Sequence, residues 1–391
     1  MNINEEALKL HEENRGKIEV ISKTKIKDMH DLAVVYTPGV AEPCRRIHQD
    51  VSQVYKYTTK GNMVAIVTDG TAVLGLGDIG PEAALPVMEG KAVLFKHFAG
   101  VDAFPICLAT KDPDKIVEAV ALIAPTFGGI NLEDISAPRC FEIENRLKKM
   151  LDIPVFHDDQ HGTAVIVLSG LINALKIVGK EIDEIKLVVN GAGAAAIAVS
   201  KFLMSAGVKN TILCDSKGII YKGRKENMNP VKEEMSKVTN REMIKGTLAN
   251  AIVEADVFLG LSVGGVLKPE MVKTMATDPI IFAMANPIPE IMPDEAKKAG
   301  ARIVATGRSD FPNQVNNCLG FPAIFKGALK VRASQINEKM KLVAAYTLAS
   351  LIGEEDLKKG IIIPDAFDPR VVEVESEAVA KAAVKSGVAK M

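Results

Sequence analysis

Net charge is almost missing from this 391-residue chain: 48 Lys and Arg stand against 49 Asp and Glu, leaving −1 at neutral pH. No global basic field exists to draw in nucleic acid, and the short basic stretch KGRK at 222–225 reads as loop surface. No CxxC pair occurs among the five cysteines, Cys44, Cys107, Cys140, Cys214 and Cys318. They read as reduced thiols in or near the core of a cytoplasmic protein. No long apolar run is uninterrupted. The longest, 162–178, contains Ser169, Asn173 and Lys176, and it falls short of the roughly 20 residues of a membrane span. The amino-terminal MNINEEALKLHEEN has an acidic, helical pattern, unlike a secretory leader. Internal repeats and low-complexity tracts are absent too.

The length suits two or three domains at about 150 residues each, enough to bury a sizeable core. Residues 1–30 read as one amphipathic helix and a charged connector. An apolar run then ends at Tyr36, before the breaker Pro38-Gly39. MVAIVTDG (63–70) reads as a buried strand, followed by the Gly-rich loop GLGDIGPEAA and a helix over 82–98. DAFPICLA and PTFGGINLED read as strands with a helix from Asp112 between them. A helix over 138–149, with Pro138 in its first turn, precedes the short strand IPVFHDDQ. After a long helix over 162–178, strands and helices alternate through KLVVN, TILCD, ADVFLGLS, PIIFAMANP and ARIVATG. That alternation is a doubly wound α/β pattern. Residues 326–391 read as mostly helical, broken at IIIPDAFDPR.

The turn Gly191-Ala192-Gly193-Ala194-Ala195-Ala196 follows the strand 186–190 and opens a helix. Such a turn lets the backbone approach a pyrophosphate, and the free N–H groups of the helix start receive the anion. Alanine at the third position is within the pattern. TILCD ends in Asp215, about 20 residues on, where an acid binds ribose hydroxyls and repels a 2′-phosphate. NAD is therefore favoured, although Lys217 and Lys222 are close enough in sequence to receive a phosphate and leave NADP open.

Two acidic pairs close apolar strands, Glu133-Asp134 and Asp158-Asp159. Adjacent strand residues point to opposite faces, so a pair shares one site only if the strand ends there. A solvated strand end is the plain reading of either pair. Together they offer the oxygen ligands that Mg²⁺ or Mn²⁺ takes. His157 and His161 raise zinc, but no cysteine stands at ligand spacing, and His157 reads as a packed or hydrogen-bonded neighbour. Tyr36 is placed to bury its ring with the hydroxyl toward a turn, and an ordinary core tyrosine fits the same pattern. Lys91 lies among apolar residues in PVMEGKAVLFKHFAG, with Lys96 as the surface-type comparison. Burial lowers a lysine pKa, which suits a general base.

These segments together resemble the malic enzymes of the short prokaryotic type. The resemblance runs along nearly the whole chain through VVYTPGVAEPC, LGLGDIGPEAALPVMEGKAVLFK, FAGVDAFPI, GGINLEDI, FHDDQHGTA, NGAGAAA, MANP, NQVNNCLGFP and IPDAFDPRV. It implies an α/β fold with an N-terminal α/β substrate domain over 1–160. A Rossmann-type doubly wound dinucleotide-binding domain with carboxy-terminal helices follows over 161–391. It implies oxidative decarboxylation of L-malate to pyruvate and CO₂ with NAD(P)⁺ and Mg²⁺ or Mn²⁺, with a malolactic-type reaction as the alternative. By the same resemblance Glu133, Asp134 and Asp159 are metal ligands and Asp158 a supporting acid. Tyr36 and Lys91 are the acid–base pair. Asn286 and Asn317 contact substrate and the nicotinamide end of the cofactor, and Lys91 also meets substrate. The arginine that grips the substrate carboxylate in the large eukaryotic members is missing, with Ala72 near its place. Backbone N–H groups of 75–80, with Asn286 and Asn317, are expected to substitute. A cytoplasmic homodimer is expected, with no nucleic-acid or membrane partner. The sequence ends without the acyltransferase-like extension of some relatives, so a single activity is expected.

Overall fold

The computed structural model describes residues 2–391 apart from Leu74; Met1 and Leu74, the first residue of the LGLGD motif, lie outside the described residues. Four helices come first: α1 (Ile3–Asn14), α2 (Met29–Val35), α3 (Ala41–Gln49) and α4 (Val54–Tyr57). None of them has a buried residue.

The apolar runs then build two sheets. β1 (Met63–Thr68), β2 (Asp102–Cys107), β3 (Gly129–Leu132) and β4 (Val155–His157) form the first, in the order β2-β1-β3-β4, with every pair parallel. A parallel sheet is covered on both faces, which is why its strands read as continuous apolar runs. Its connections are α5 (Pro81–Leu94), α6 (Pro113–Ile123) and α7 (Arg139–Met150). Pro138 stands at the N-cap of α7, one residue before the first turn expected for it.

α8 (Asp158–Val178) begins at Asp158 rather than at Gly162. It has 21 residues, and an 18-residue window within it has a mean hydropathy of 1.6, so it is long and apolar enough to cross a membrane, contrary to the sequence-based expectation. Of its apolar window 67% is buried inside the protein, as for a core helix that is apolar all round. It packs between α9 (Ala194–Ser205) and the helix Glu338–Ser350.

The second sheet holds β5 (Lys186–Asn190), β6 (Asn210–Asp215), β7 (Gly218–Ile219), β8 (Val257–Gly260), β9 (Ile280–Ala283) and β10 (Ile303–Thr306). Its order is β10-β9-β8-β5-β6-β7, parallel except for β7. The winding reverses between β5 and β8, and ligands of such sheets bind where the strands end at that reversal. The helix Phe321–Lys330 returns to the first sheet. Phe95 meets Phe321 with ring centroids 4.7 Å apart, and Phe156 meets Phe325 at 5.7 Å, both edge to face. One apolar core therefore runs from Val64 and Ile66 through Leu187 and Val189 to Phe325. Cys140, Cys214 and Cys318 are buried in the interior, while Cys44, expected near the core, is exposed on α3.

Glu375, on the helix Arg370–Lys385, is fully buried with both carboxylate oxygens unpartnered. Burial alone pushes its pKa well above the ordinary carboxylate value. Below the unfolded pKa both states carry the proton and nothing is lost. As pH rises toward the folded value the unfolded chain ionises first, and stability falls by roughly 1.4 kcal/mol per pH unit. Glu375→Gln is expected to raise Tm at pH 8 and to leave it nearly unchanged at pH 4. Thermal unfolding at both pH values checks this, and an equal shift at both would contradict it.

Candidate active site

β3 stops at Leu132, immediately before Glu133 and Asp134. Asp134 takes a left-handed backbone, φ +53°, so the two carboxylates are not thrown to opposite faces as on a continuing strand. Ala72 N–H donates to the Asp134 carbonyl at 2.9 Å, and Asp134 N–H donates to Asp159 Oδ2 at 2.8 Å. The second acidic pair is not at a strand end as expected. β4 ends at His157, and Asp158 and Asp159 form the first turn of α8, where the helix dipole favours negative charge. One ligand oxygen from each of Glu133, Asp134 and Asp159 lies within 4.8 Å of the others. Asp134 Oδ2 is buried and unpartnered. Burial, then repulsion from Asp159 and Glu133, pushes Asp134 up to about 9. Asp159 is pushed up to about 6 by burial, against the pull of Lys91. Converging hard oxygens that repel one another, one without a partner, fit a divalent cation.

Lys91 is buried on α5. Its Nζ lies 2.6 Å from Asp158 Oδ2, 2.9 Å from Glu133 Oε1 and 4.4 Å from the centre of the Phe321 ring. Lys96 is at the surface, paired with Asp102. Burial taken alone lowers the Lys91 pKa, as expected from sequence, but the Asp158 and Glu133 carboxylates outweigh it and the net direction is upward. Asp158 also accepts from Asn317 Nδ2, which links Lys91, Asp158 and Asn317. Gly162, one turn along α8, leaves room for this acid, because a Cβ there would stand 1.8 Å from Asp158 Oδ1. His157 is buried with both ring nitrogens unpartnered, and burial lowers its pKa, so it is a packed neutral imidazole. His161 bonds Glu144 at 2.7 Å and Lys341 at 3.2 Å. Among the described residues neither histidine joins a cluster of three metal-ligating groups.

Tyr36 does not join this site as a buried ring. It ends α2 and is 67% exposed. The apolar run before it has no buried residue, and Met29 and Val34 are more than half exposed as well.

The dinucleotide turn has the expected form. Gly191 has φ +135°, and a Cβ there would meet Leu261 O at 2.4 Å, whereas the Cβ direction of Gly193 is open. No side chain caps α9, so its first N–H groups are free for an anion. A cleft of about 540 Å³ is lined by Asp134, Asp159, Gly193, Ala194, Ala195, Asn286 and Asn317, among others. Asp134 and Asp159, the helix start and both asparagines thus share one space where the strands of the two sheets end. Ala196 is buried, and Ala192 is partly buried against the core.

Further placements differ from the sequence reading. Asp215 ends β6 as expected, but its carboxylate is taken. It accepts from Arg224 Nη2, from Lys232 Nζ at 2.8 Å, from Asn227 Nδ2 at 3.1 Å and from Lys217 N–H at 2.9 Å. It is not the free acid that was expected to repel a 2′-phosphate. Arg224, read from the sequence as loop surface, is buried, and Lys232 was missed, because a loop folds them back from 9 and 17 residues away in sequence; no motif spacing marks them. Most of the donors expected of the loop 75–80 are taken, Leu76 N–H by Val73 O among them. Gly77 N–H is bonded to Val73 O, and the N–H groups of Ile79 and Gly80 to Gly70 O. Glu290 was also missed. Buried, it accepts from Ser262 N–H at 3.1 Å and Ala285 N–H at 2.9 Å, fixing the loop that carries Asn286.

Comparison with known proteins agrees with this geometry. Residues 15–148 match the family model for the malic enzyme N-terminal domain, and residues 160–387 that for the malic enzyme NAD binding domain. The bifunctional malic/malolactic enzyme of Bacillus subtilis is 62% identical over 391 residues, covering all of this chain and 95% of that protein. The NADP-dependent malic enzyme of Haemophilus influenzae is 52% identical, covering 96% of this chain and 51% of that longer protein. The crystal structure of malic enzyme from Pyrococcus horikoshii superposes with a TM-score of 0.95 at 51% identity, over all of this chain and 92% of that one. Sequence, fold and site geometry agree, and the chain belongs to the malic enzyme family.

Proposed function

We propose that this chain converts L-malate to pyruvate and CO₂ by oxidative decarboxylation, using NAD(P)⁺ and a divalent cation. The observation that carries the reading is the shared cleft: Asp134 and Asp159, two of the three converging carboxylates, and an uncapped helix start open into one space, with the Lys91–Asp158–Asn317 chain beside it. Glu133, Asp134 and Asp159 would hold Mg²⁺ or Mn²⁺, and the start of α9 would hold the pyrophosphate. When bound, the cation supplies Lewis-acid polarisation of the C2 oxygen and the nicotinamide supplies the hydride acceptor.

The chain's own residues do the rest. Lys91 takes the C2 hydroxyl proton, for which it must be neutral. Its proton is held by two carboxylates, so neutralising the charge on Glu133 returns the balance toward burial, which lowers its pKa. Asp158 keeps Nζ aimed, and Asn317 is held by the same carboxylate. Asn286 and Asn317 line the cleft and contact substrate and the nicotinamide end of the cofactor. Tyr36 is the proton donor for C3. Exposed on an arm whose helices bury nothing, it reaches the site of a second copy of the chain, and the apolar side chains Met29, Val34 and Val35 are covered in that homodimer. With five unpaired thiols, the reduced cytoplasm suits it.

The test is an assay at 340 nm with L-malate and Mn²⁺, run separately with NAD⁺ and NADP⁺, with pyruvate and lactate quantified at the end. Reduced cofactor matched one to one by pyruvate, and abolished by EDTA, is the expected result. The name of the Bacillus relative makes lactate the second product to measure. Lactate without reduced cofactor would replace the oxidative reading with the malolactic one.

A further inference from the structure

L-malate carries two carboxylates. The end that bears the C2 oxygen is the one suited to the acid cluster and its cation, so the remote carboxylate has to be met by the chain itself. Among the described residues no lysine, arginine or histidine lines the cleft. The side chains there that can donate to an anion are neutral: Ser136, Thr163, Asn286, Asn316 and Asn317. Asn317 already gives an amide proton to Asp158. Ser136 differs from the rest in having its hydroxyl aimed by a cation. Arg139 Nη2 donates to Ser136 Oγ at 3.0 Å, and the Ser136 N–H donates to Thr71 Oγ1 at 3.0 Å. Arg139 is itself fixed. Its Nη2 also donates to Thr71 Oγ1 at 2.9 Å, and its Nη1 to Asp69 Oδ2 at 2.8 Å and to the Lys111 carbonyl at 2.5 Å. Asp69 is buried and accepts the Thr71 hydroxyl proton at 2.6 Å. All four Nη hydrogens of Arg139 are therefore in use, and the guanidinium is not free to turn to a substrate. A serine hydroxyl has one proton to give. On Ser136 the acceptor side is taken by Arg139, and among the described residues nothing accepts the proton. The proton is left pointing away from Arg139, on an O–H that the charged donor polarises.

We propose that Ser136 is a specificity-determining contact, donating its hydroxyl proton to the remote carboxylate of the substrate, and that Arg139 is the positioning residue that aims it. This rests on the malate reading of the cleft. A neutral grip suits the chemistry of that carboxylate. It is the group that departs as CO₂, and its negative charge flows toward the C2 oxygen as it leaves. A cation placed on it would stabilise the starting anion more than the transition state and so slow the step. A single aimed hydroxyl holds the group in place and gives up less as the charge drains away. Asp69 balances the charge of Arg139 one bond further back, which keeps the wall itself neutral. The contact is made before the charge moves, so its loss belongs in KM rather than in kcat.

The test compares L-malate with oxalate on the intact protein, in steady-state kinetics and in calorimetric titration with Mg²⁺ and NADH present. Oxalate offers a cation the same pair of oxygens and has no remote carboxylate. Ser136→Ala should raise KM for malate by about tenfold, with kcat changed by no more than about twofold and oxalate binding equally little altered. Ser136→Thr keeps a hydroxyl and should stay within about threefold of wild type. Arg139→Lys keeps a charge beside Asp69 but lacks the fork that reaches Ser136. It should raise KM severalfold alone and add almost nothing to Ser136→Ala, because the two act through one hydroxyl. An unchanged malate KM in Ser136→Ala would overturn the proposal. Equal losses for malate and oxalate would overturn it too, since Ser136 would then be supporting the acid cluster. Additive losses in the double variant would remove Arg139 from the role. A wild-type chain that yields neither pyruvate nor lactate from malate would overturn the malate reading itself, and this proposal with it.

Discussion

Replacing Lys91 by arginine should leave a stable protein with almost no activity. The two carboxylates that hold Lys91 are buried. Arginine keeps a positive charge between them but is not deprotonated in proteins. It can partner Glu133 and Asp158 and cannot take a proton from the substrate. The expected loss in kcat is about 10²–10⁴-fold, the range for removing a positioned acid or base. Lys91→Met makes the complementary case. It loses activity to the same degree, and it also leaves two buried carboxylates without their cation, a cost of about 3–5 kcal/mol. Part of that cost should return on adding Mn²⁺, since the ion would neutralise Glu133 where Lys91 no longer does. Thermal unfolding with and without Mn²⁺, beside steady-state rates, separates the two roles. An arginine variant with wild-type kcat would show that Lys91 serves only as a structural counter-ion.

Much of this site was legible in the sequence because its parts are local. GGINLEDI has to stop being a strand for its two acids to face one point, and the backbone does turn left-handed at Asp134. The glycine-rich turn announces itself, because a Cβ at Gly191 would strike Leu261 O. The strand alternation after 186 gave the doubly wound sheet for the same reason: each parallel strand is buried on both faces and reads as an apolar run. What the sequence hid depends on distant partners. Burial predicted a lowered pKa for Lys91, yet its environment contains acids 42 and 67 residues away that reverse the direction. Asp215 looked like a free ribose acceptor until a loop brought Arg224 and Lys232 onto it. The apolar run before Tyr36 looked like core, but hydrophobicity does not say which surface a segment covers, its own chain's or another's.

That last ambiguity gives the second large prediction. If Tyr36 works in the site of a partner chain, Tyr36→Phe and Lys91→Arg should each abolish most activity alone and restore it when combined. In a two-fold dimer the arm of each chain lies across the other. A mixed dimer then has one site with both changes and one with neither. Random pairing of equal amounts makes half of the dimers mixed, so the co-expressed pair should recover about one quarter of wild-type activity. Each variant by itself should fall by about 10²-fold or more. Co-expression with two affinity tags, isolating only mixed dimers, should raise the recovery to about one half. Tyr36→Phe removes one hydroxyl from a side chain that is already 67% exposed in its own chain, so folding is not at issue. If the mixed dimers stay inactive, Tyr36 serves its own chain, and the arm must then move to bring it there. If the protein runs as a monomer in sedimentation at assay concentration while remaining active, the exposed arm is no dimer interface. The apolar side chains of α2 then have some other cover. The quarter and the half are set by counting sites, so they hold whatever the absolute rate and need no assumption about which step limits turnover.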